Sequence, residues 1–165
     1  MEYYYCITLK EIKERETPQE LGRIAQDIVA IDLKLCNHKI VEYNPVGRSD
    51  IETEFNGRRY VFEVKSGRFE IDLTNVKNRI KSRIGEKKLV FFDFSFPARL
   101  YVLSLMELPD FLSFLIIPCS RKYEDKELSE IMNKKLPEAI EKYYEFWKKG
   151  GPTVAREFVE DYIKD

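Results

Sequence analysis

The sequence predicts one α/β domain: a mixed β-sheet with helices on both faces, followed by a C-terminal helical addition. Three observations carry that reading. A capped amphipathic helix runs from Thr17 toward Asn37. An Asn56-Gly57 pair separates two runs of alternating polarity, the strongest short-range hairpin signal, because a type I′ turn needs positive φ at both central residues. A continuous apolar run, Leu89 to Phe96, follows a basic helical stretch, as expected of a central strand buried on both faces. The 165 residues, 44% of them apolar, suffice for one core. No linker divides them. The core would span residues 17–105 and the helical addition residues 106–165.

Taken in order, residues 3–9 are aromatic and β-prone and read as a short strand or extended arm. Thr17 is an N-cap, Pro18 suits the first helical position and Glu20 completes a capping box. Leu21, Ile24, Ala25, Ile28, Ile31 and Leu35 then recur at helical spacing, ending near Cys36 or Asn37. Ile40 to Tyr43 is a short strand leading to the Asn44-Pro45 turn. The hairpin follows, with Phe55 facing Arg58, Thr53 facing Tyr60 and Ile51 facing Phe62. Residues 68–73 form a loop or strand extension. Thr74 then caps a helix through Ile84 with Val76, Ile80 and Ile84 as its apolar stripe. Beyond the central strand, residues 99–105 read as another strand and residues 110–115 as a short helix started by Pro109. The tail reads as three helices: residues 125–134, one begun by Pro137 and closed at Gly150-Gly151, and one begun by Pro152. Tyr143, Tyr144 and Trp147 read as core before they read as a base-stacking surface.

Composition excludes several classes. No apolar run reaches the roughly 18 residues of a membrane span, and the N-terminal residues lack the pattern of a signal peptide. A cytoplasmic protein with no membrane partner is the expectation. Cys6, Cys36 and Cys119 form neither a disulfide framework nor a zinc pattern and read as buried free thiols. His38 is the only histidine, which removes multi-histidine metal sites and leaves a Ser-His-Asp triad little room. Abundant Lys, Glu and Tyr with scarce Gln resemble hyperthermophile composition. Net charge is −1, yet residues 56–88 hold ten basic and four acidic side chains. A local basic patch of this kind suits a phosphate backbone.

The chemistry sits in the hairpin. Extending its register by one pair sets Asp50 opposite Glu63. Side chains alternate faces, so Asp50, Glu52, Glu63 and Lys65 share the face away from Ile51, Phe55, Tyr60, Phe62 and Val64. Facing carboxylates destabilise a sheet unless a cation lies between them, and hard oxygen ligands suit Mg²⁺ or Mn²⁺. A metal that polarises a phosphoryl oxygen, beside the Lys65 ammonium, is equipment for phosphodiester hydrolysis.

These residues resemble the PD-(D/E)xK nuclease superfamily, the restriction-endonuclease-like fold, over about residues 20–96, with spacing similar to archaeal Holliday-junction resolvases. Asp50 matches the metal-binding Asp, and Glu63-Val64-Lys65 matches the (D/E)xK tripeptide. The resemblance implies a Mg²⁺- or Mn²⁺-dependent endonuclease acting on DNA. Asp50, Glu63 and the Val64 carbonyl would hold the metal and Lys65 would serve the attacking water; a homodimer is also implied. The family's helix glutamate falls on Gln26, a departure that leaves one acid fewer, with Glu20 and Asp27 as the neighbouring acids. Arg48, Lys77 and Lys81 are the candidate DNA-backbone contacts. Two alternatives stand beside the enzyme: a non-catalytic nucleic-acid-binding or assembly module with an eroded site, and an RNA-directed nuclease.

Overall fold

The computed structural model describes residues 2–43, 50–95 and 97–164, with side chains from residue 7 onward. The Asn44-Pro45 turn, Arg48 and Phe96, the expected end of the central strand, lie outside these. The chain runs α1 (Glu2–Arg15), α2 (Pro18–Leu35), β1 (Lys39–Tyr43), β2 (Ile51–Phe55), β3 (Arg58–Ser66), β4 (Glu70–Asp72), α3 (Leu73–Ile80), β5 (Glu86–Asp93), β6 (Arg99–Ser104), β7 (Phe114–Ile116) and α4 (Lys126–Lys164). Five strands form a mixed sheet in the order β1-β2-β3-β5-β6, in which only β3 and β5 are parallel. β4 and β7 make a separate antiparallel pair.

The hairpin has the expected register, with Phe55 opposite Arg58, Thr53 opposite Tyr60 and Ile51 opposite Phe62. Asn56 at φ 51° and Gly57 at φ 76° take the two positive-φ positions of its turn. The α2 cap is also as expected: Thr17 Oγ1 accepts from the Glu20 N–H at 3.2 Å, and the helix closes at Cys36. Ile51, Tyr60, Phe62 and Val64 from the hairpin join Val90, Phe92, Leu100 and Val102 under α2 and α4 in the larger core. Val61, Leu89, Phe91 and Leu103 face the other way, into a thinner core closed by α3 and β7.

Several expectations are corrected. Residues 3–9 belong to helix α1 instead of a strand: Leu9 and Ile12, at helical spacing, are buried in the α2–α4 core, and this packing outweighs local β-propensity. α3 is capped by Asp72, whose Oδ1 accepts from the Asn75 N–H at 3.2 Å, not by Thr74. It ends at Ile80, leaving Ile84 outside it and 86% exposed. The central strand runs Glu86–Asp93, set by its parallel pairing with Tyr60 to Ser66.

Residues 110–115 do not form a helix: Phe114 to Ile116 pair with Glu70 to Asp72 and build the edge of the thin core. Pro137 does not start a helix either, since it lies inside α4. The stripe Met132, Leu136, Ala139, Ile140 and Tyr143 is buried on both sides of it, and that burial outweighs the one backbone bond a proline removes. The expected break at Gly150-Gly151 is present, with Gly151 at φ 76° and ψ −161°. Cys36 is buried but Cys119, in a turn after β7, is exposed, contrary to the reading of buried thiols.

Candidate functional site

The site lies where β2 begins and β3 passes it. The β2–β3 ladder ends at Ile51 opposite Phe62. One residue further, Asp50 bends and turns its carboxylate onto β3, where the Val64 N–H donates to Oδ2 at 2.7 Å. Glu63 stands beside it on the face of the thin core. Both carboxylates are buried, Asp50 1% and Glu63 0% exposed. From α2, Gln26 Nε2 donates to Asp50 Oδ1 at 3.2 Å. Lys65 follows Glu63 by two residues on the same strand face and is half-buried. Among the described residues no carboxylate lies within ion-pair distance of it.

A residue that sequence reasoning missed completes the arrangement. Arg79, in the last turn of α3, reaches both acids, with a terminal nitrogen 3.6 Å from Asp50 Oδ1 and Nε 3.4 Å from Glu63 Oε2. The signal was present: Val76 and Ile80 fix the buried stripe of α3, and Arg79 adjoins that stripe. Lys77 and Lys81 make no ion pair with Asp50 or Glu63 among the described residues. Lys77 is half-buried and Lys81 exposed at the C-terminal end of α3. Asp27, the acid next to Gln26, points elsewhere: it accepts from the Tyr43 hydroxyl and lies 3.3 Å from Arg156 of α4. Burial pushes its carboxyl up to about 6 against the pull of Arg156.

The electrostatics follow from burial. Desolvation raises the affinity of Glu63 for a proton, the Asp50 charge adds to that, and Arg79 and Lys65 oppose it; the result is a carboxyl pushed up to about 9. Burial also raises Asp50, held back by the Val64 N–H and by Arg79. The two carboxyls titrate as an interacting pair, and Glu63 holds its proton at neutral pH.

A second acidic pair adjoins the first. β1 carries an irregularity between Ile40 and Glu42 that sets Glu42 opposite Glu52. Arg83, in the turn after α3, donates through Nε to Glu52 Oε2 at 2.6 Å and also contacts Glu42. Arg59 takes the other oxygen of Glu52 at 3.1 Å. This pair is saturated with arginine.

The first pair is not. Glu63 Oε1 and Oε2 and Gln26 Oε1 are buried without a hydrogen-bond partner among the described residues. Unmet buried oxygens of this kind are costly, and oxygens of a carboxylate and an amide suit a hard divalent cation. The donor set fits such an ion, with Arg79 as the competing cation. It supplies two acids, and among the described residues no cluster of three or more His, Cys, Asp or Glu has metal-binding geometry. No helix among those residues is long and apolar enough to cross a membrane. Comparisons with protein-family models, with curated proteins and with solved structures gave no match for this chain.

Proposed function

We propose that the protein is a metal-dependent endonuclease that hydrolyses phosphodiester bonds in DNA, in a repair, recombination or restriction role. One observation carries the reading: two buried carboxylates, Asp50 and Glu63, lie around the single Arg79 side chain, the Glu63 and Gln26 oxygens beside it lack a hydrogen-bond partner among the described residues, and a lysine follows two residues along the strand. The resemblance of Asp50 and Glu63-Val64-Lys65 to the PD-(D/E)xK nucleases supports the same chemistry.

Asp50, Glu63, the Gln26 amide oxygen and the Val64 carbonyl would hold Mg²⁺ or Mn²⁺. When bound, that ion would polarise a phosphoryl oxygen and acidify water. Glu63 must first give up its proton, so occupancy rises with pH. Lys65 places an ammonium beside the scissile phosphate, where it orients water and stabilises developing charge. Arg79, released from the acids, has the fork geometry to take two phosphate oxygens.

The test is incubation with duplex, single-stranded, flapped and four-way-junction DNA, with RNA as a further arm, in Mg²⁺, Mn²⁺ or EDTA. Cleavage is expected with metal and not with EDTA. Mn²⁺ should raise the melting temperature of the wild type, by about 2.7 kcal/mol of stabilisation at a hundredfold excess over Kd. Asp50→Asn should lose both that rise and cleavage, whereas Lys65→Ala should keep the rise and lose cleavage. Equal Mn²⁺ shifts in Asp50→Asn and wild type would remove the metal site. A second reading, a non-catalytic nucleic-acid-binding or assembly module, has its own observation: Arg79 already lies between the two acids, and Gln26 supplies no charge. Calorimetric Mn²⁺ titration without heat, alongside intact DNA binding, would favour it.

A further inference from the structure

We propose that the cleft along the outer edge of β6 is a second phosphate-binding site, one that holds the sugar-phosphate backbone of a nucleic acid away from the Asp50–Glu63 pair. The inference rests on the nucleic-acid reading above but not on catalysis. The cleft has a volume of about 820 Å³ and lies between the start of β6, the 3-10 turn Arg121–Tyr123 and the first turns of α4. That is the size range of sites that enclose a ligand.

Its charge is lopsided. Both carboxylates in its wall are already committed. Glu124 accepts from Arg99 at 3.0 Å and from the Ser129 hydroxyl at 2.9 Å, and Glu130 pairs with Lys134 at 3.2 Å. Arg121, Lys122 and Lys126 remain, with no carboxylate in ion-pair range among the described residues. Lys126 is also the first residue of α4; the neighbouring Asp125 carboxylate is committed elsewhere, capping the Leu128 N–H at 3.0 Å and pairing with Lys88 at 3.0 Å.

The wall behind these cations is rigid. Arg99 stacks on Tyr101, 4.8 Å from ring centroid to guanidinium carbon. Asn133 bridges to the Leu100 backbone through 2.7 and 2.8 Å hydrogen bonds. Held side chains lose little entropy on binding.

Position selects a polymer over a lone phosphate. Across the sheet, Lys65 pairs with Phe91, and Phe91 pairs with Tyr101, the residue under Arg99. Two strand spacings of about 4.8 Å set Tyr101 roughly 10 Å from Lys65, and Arg99, stacked on that ring, lines the cleft. Phosphates on one DNA strand advance about 3.4 Å per nucleotide, so a strand held at Lys65 would reach the cleft within a few nucleotides. Three cations spread over residues 121–126, in place of a convergent cradle, suit successive phosphates.

The experiment replaces Arg121, Lys122 and Lys126 by alanine together, at exposed positions where folding should survive; an unchanged melting temperature checks this. A short fluorescent duplex is titrated in EDTA at several salt concentrations. The expected result is an affinity loss of about tenfold or more and a flattening of the log K against log salt slope by about 0.9 per lost contact. Unchanged affinity and slope, with the parent still binding DNA, would overturn the cleft alone. If the parent binds no nucleic acid, the functional reading falls and the cleft with it. Pyrophosphate and ADP form a further arm: if they bind in a way the triple variant abolishes while duplex binding is indifferent to it, the cleft takes small phosphates and the backbone assignment is overturned.

Discussion

At the scale of the residue, Glu63 couples the site to pH. Its folded-state carboxyl is raised to about 9 from an ordinary value of 4.5, by burial and by the Asp50 charge. A raised acid stabilises the fold fully below its unfolded pKa, and that contribution is lost as pH rises through the folded value. His38 and Asp27 act in lower windows. His38 is stacked on Phe55 at 4.4 Å and hydrogen-bonded to Thr53, and burial lowers it to about 4 from 6.5. The fold holds it neutral, so stability falls as pH drops from 6.5 toward 4. Asp27 titrates near 6. Between pH 7 and 9 neither contributes a slope, and Glu63 does. Metal-free wild type should lose stability across that interval, and Glu63→Gln should flatten the loss. Chemical denaturation at several pH values checks this; parallel curves for the two proteins would mean that Glu63 is ionised in the fold.

How much of the site was legible divides at the same scale. Asp50, Glu63 and Lys65 follow from a two-residue turn and strand alternation, both local rules. Gln26 was reached through the family resemblance, and it does contact Asp50. For Arg79 the sequence carried only its place beside the Val76–Ile80 stripe; its reach to the two acids depends on how α3 lies over the sheet. That is set by the core Val76 and Ile80 share with Leu89 and Phe91, residues from another element.

At the scale of the element, one irregularity in β1 rearranges the polar face. In a regular ladder continuing from Ile40 opposite Thr53, Val41 would face Glu52 and Glu42 would face Ile51. The extra residue sets Glu42 opposite Glu52 instead, the two-against-one count of a β-bulge. The facing acids are held by Arg83, so the β1–β2 pairing and the turn after α3 depend on each other. Arg83→Ala should destabilise the protein by about 2–3 kcal/mol, toward the low side for a buried ion pair because Arg59 stays on Glu52. Adding Glu42→Gln should recover part of the loss, a coupling that a double-mutant cycle measures. Additive effects of the two changes would mean that Arg83 acts through something other than the facing acids. Residues 3–9, α3's ends and the β4–β7 pair were misread for one reason: their states depend on partners in other elements, which local propensity does not contain.

At the scale of the whole molecule, the mixed sheet between helices was legible, because the hairpin's alternation specifies one apolar face and the apolar run of β5 specifies a strand covered on both. The closure of the sheet's β6 edge was not. An edge strand offers unpaired N–H and C=O groups to other chains. Here α4 covers them: the Asn133 amide accepts from the Leu100 N–H at 2.7 Å and donates to its carbonyl at 2.8 Å, the Ser129 hydroxyl adds a 3.1 Å bond, and the Asp125 N–H reaches the Val102 carbonyl at 2.7 Å. One side chain thus acts as a short strand would, so self-association by strand addition at β6 is blocked while that amide is in place. Asn133→Ala should leave the Leu100 N–H without its acceptor and weaken the cover of the carbonyl, at a cost of about 1–3 kcal/mol. Asn133→Asp keeps an acceptor for the N–H but sets a carboxylate against the carbonyl, so it should fall at least as far below wild type at neutral pH. The alanine variant should also associate with rising concentration, measured by light scattering after size exclusion, while Glu138→Ala, an exposed change on the same helix, should leave both stability and mass unchanged. An Asn133→Ala protein that melts with wild type and keeps its mass would show that the helix backbone, not the amide, closes the edge.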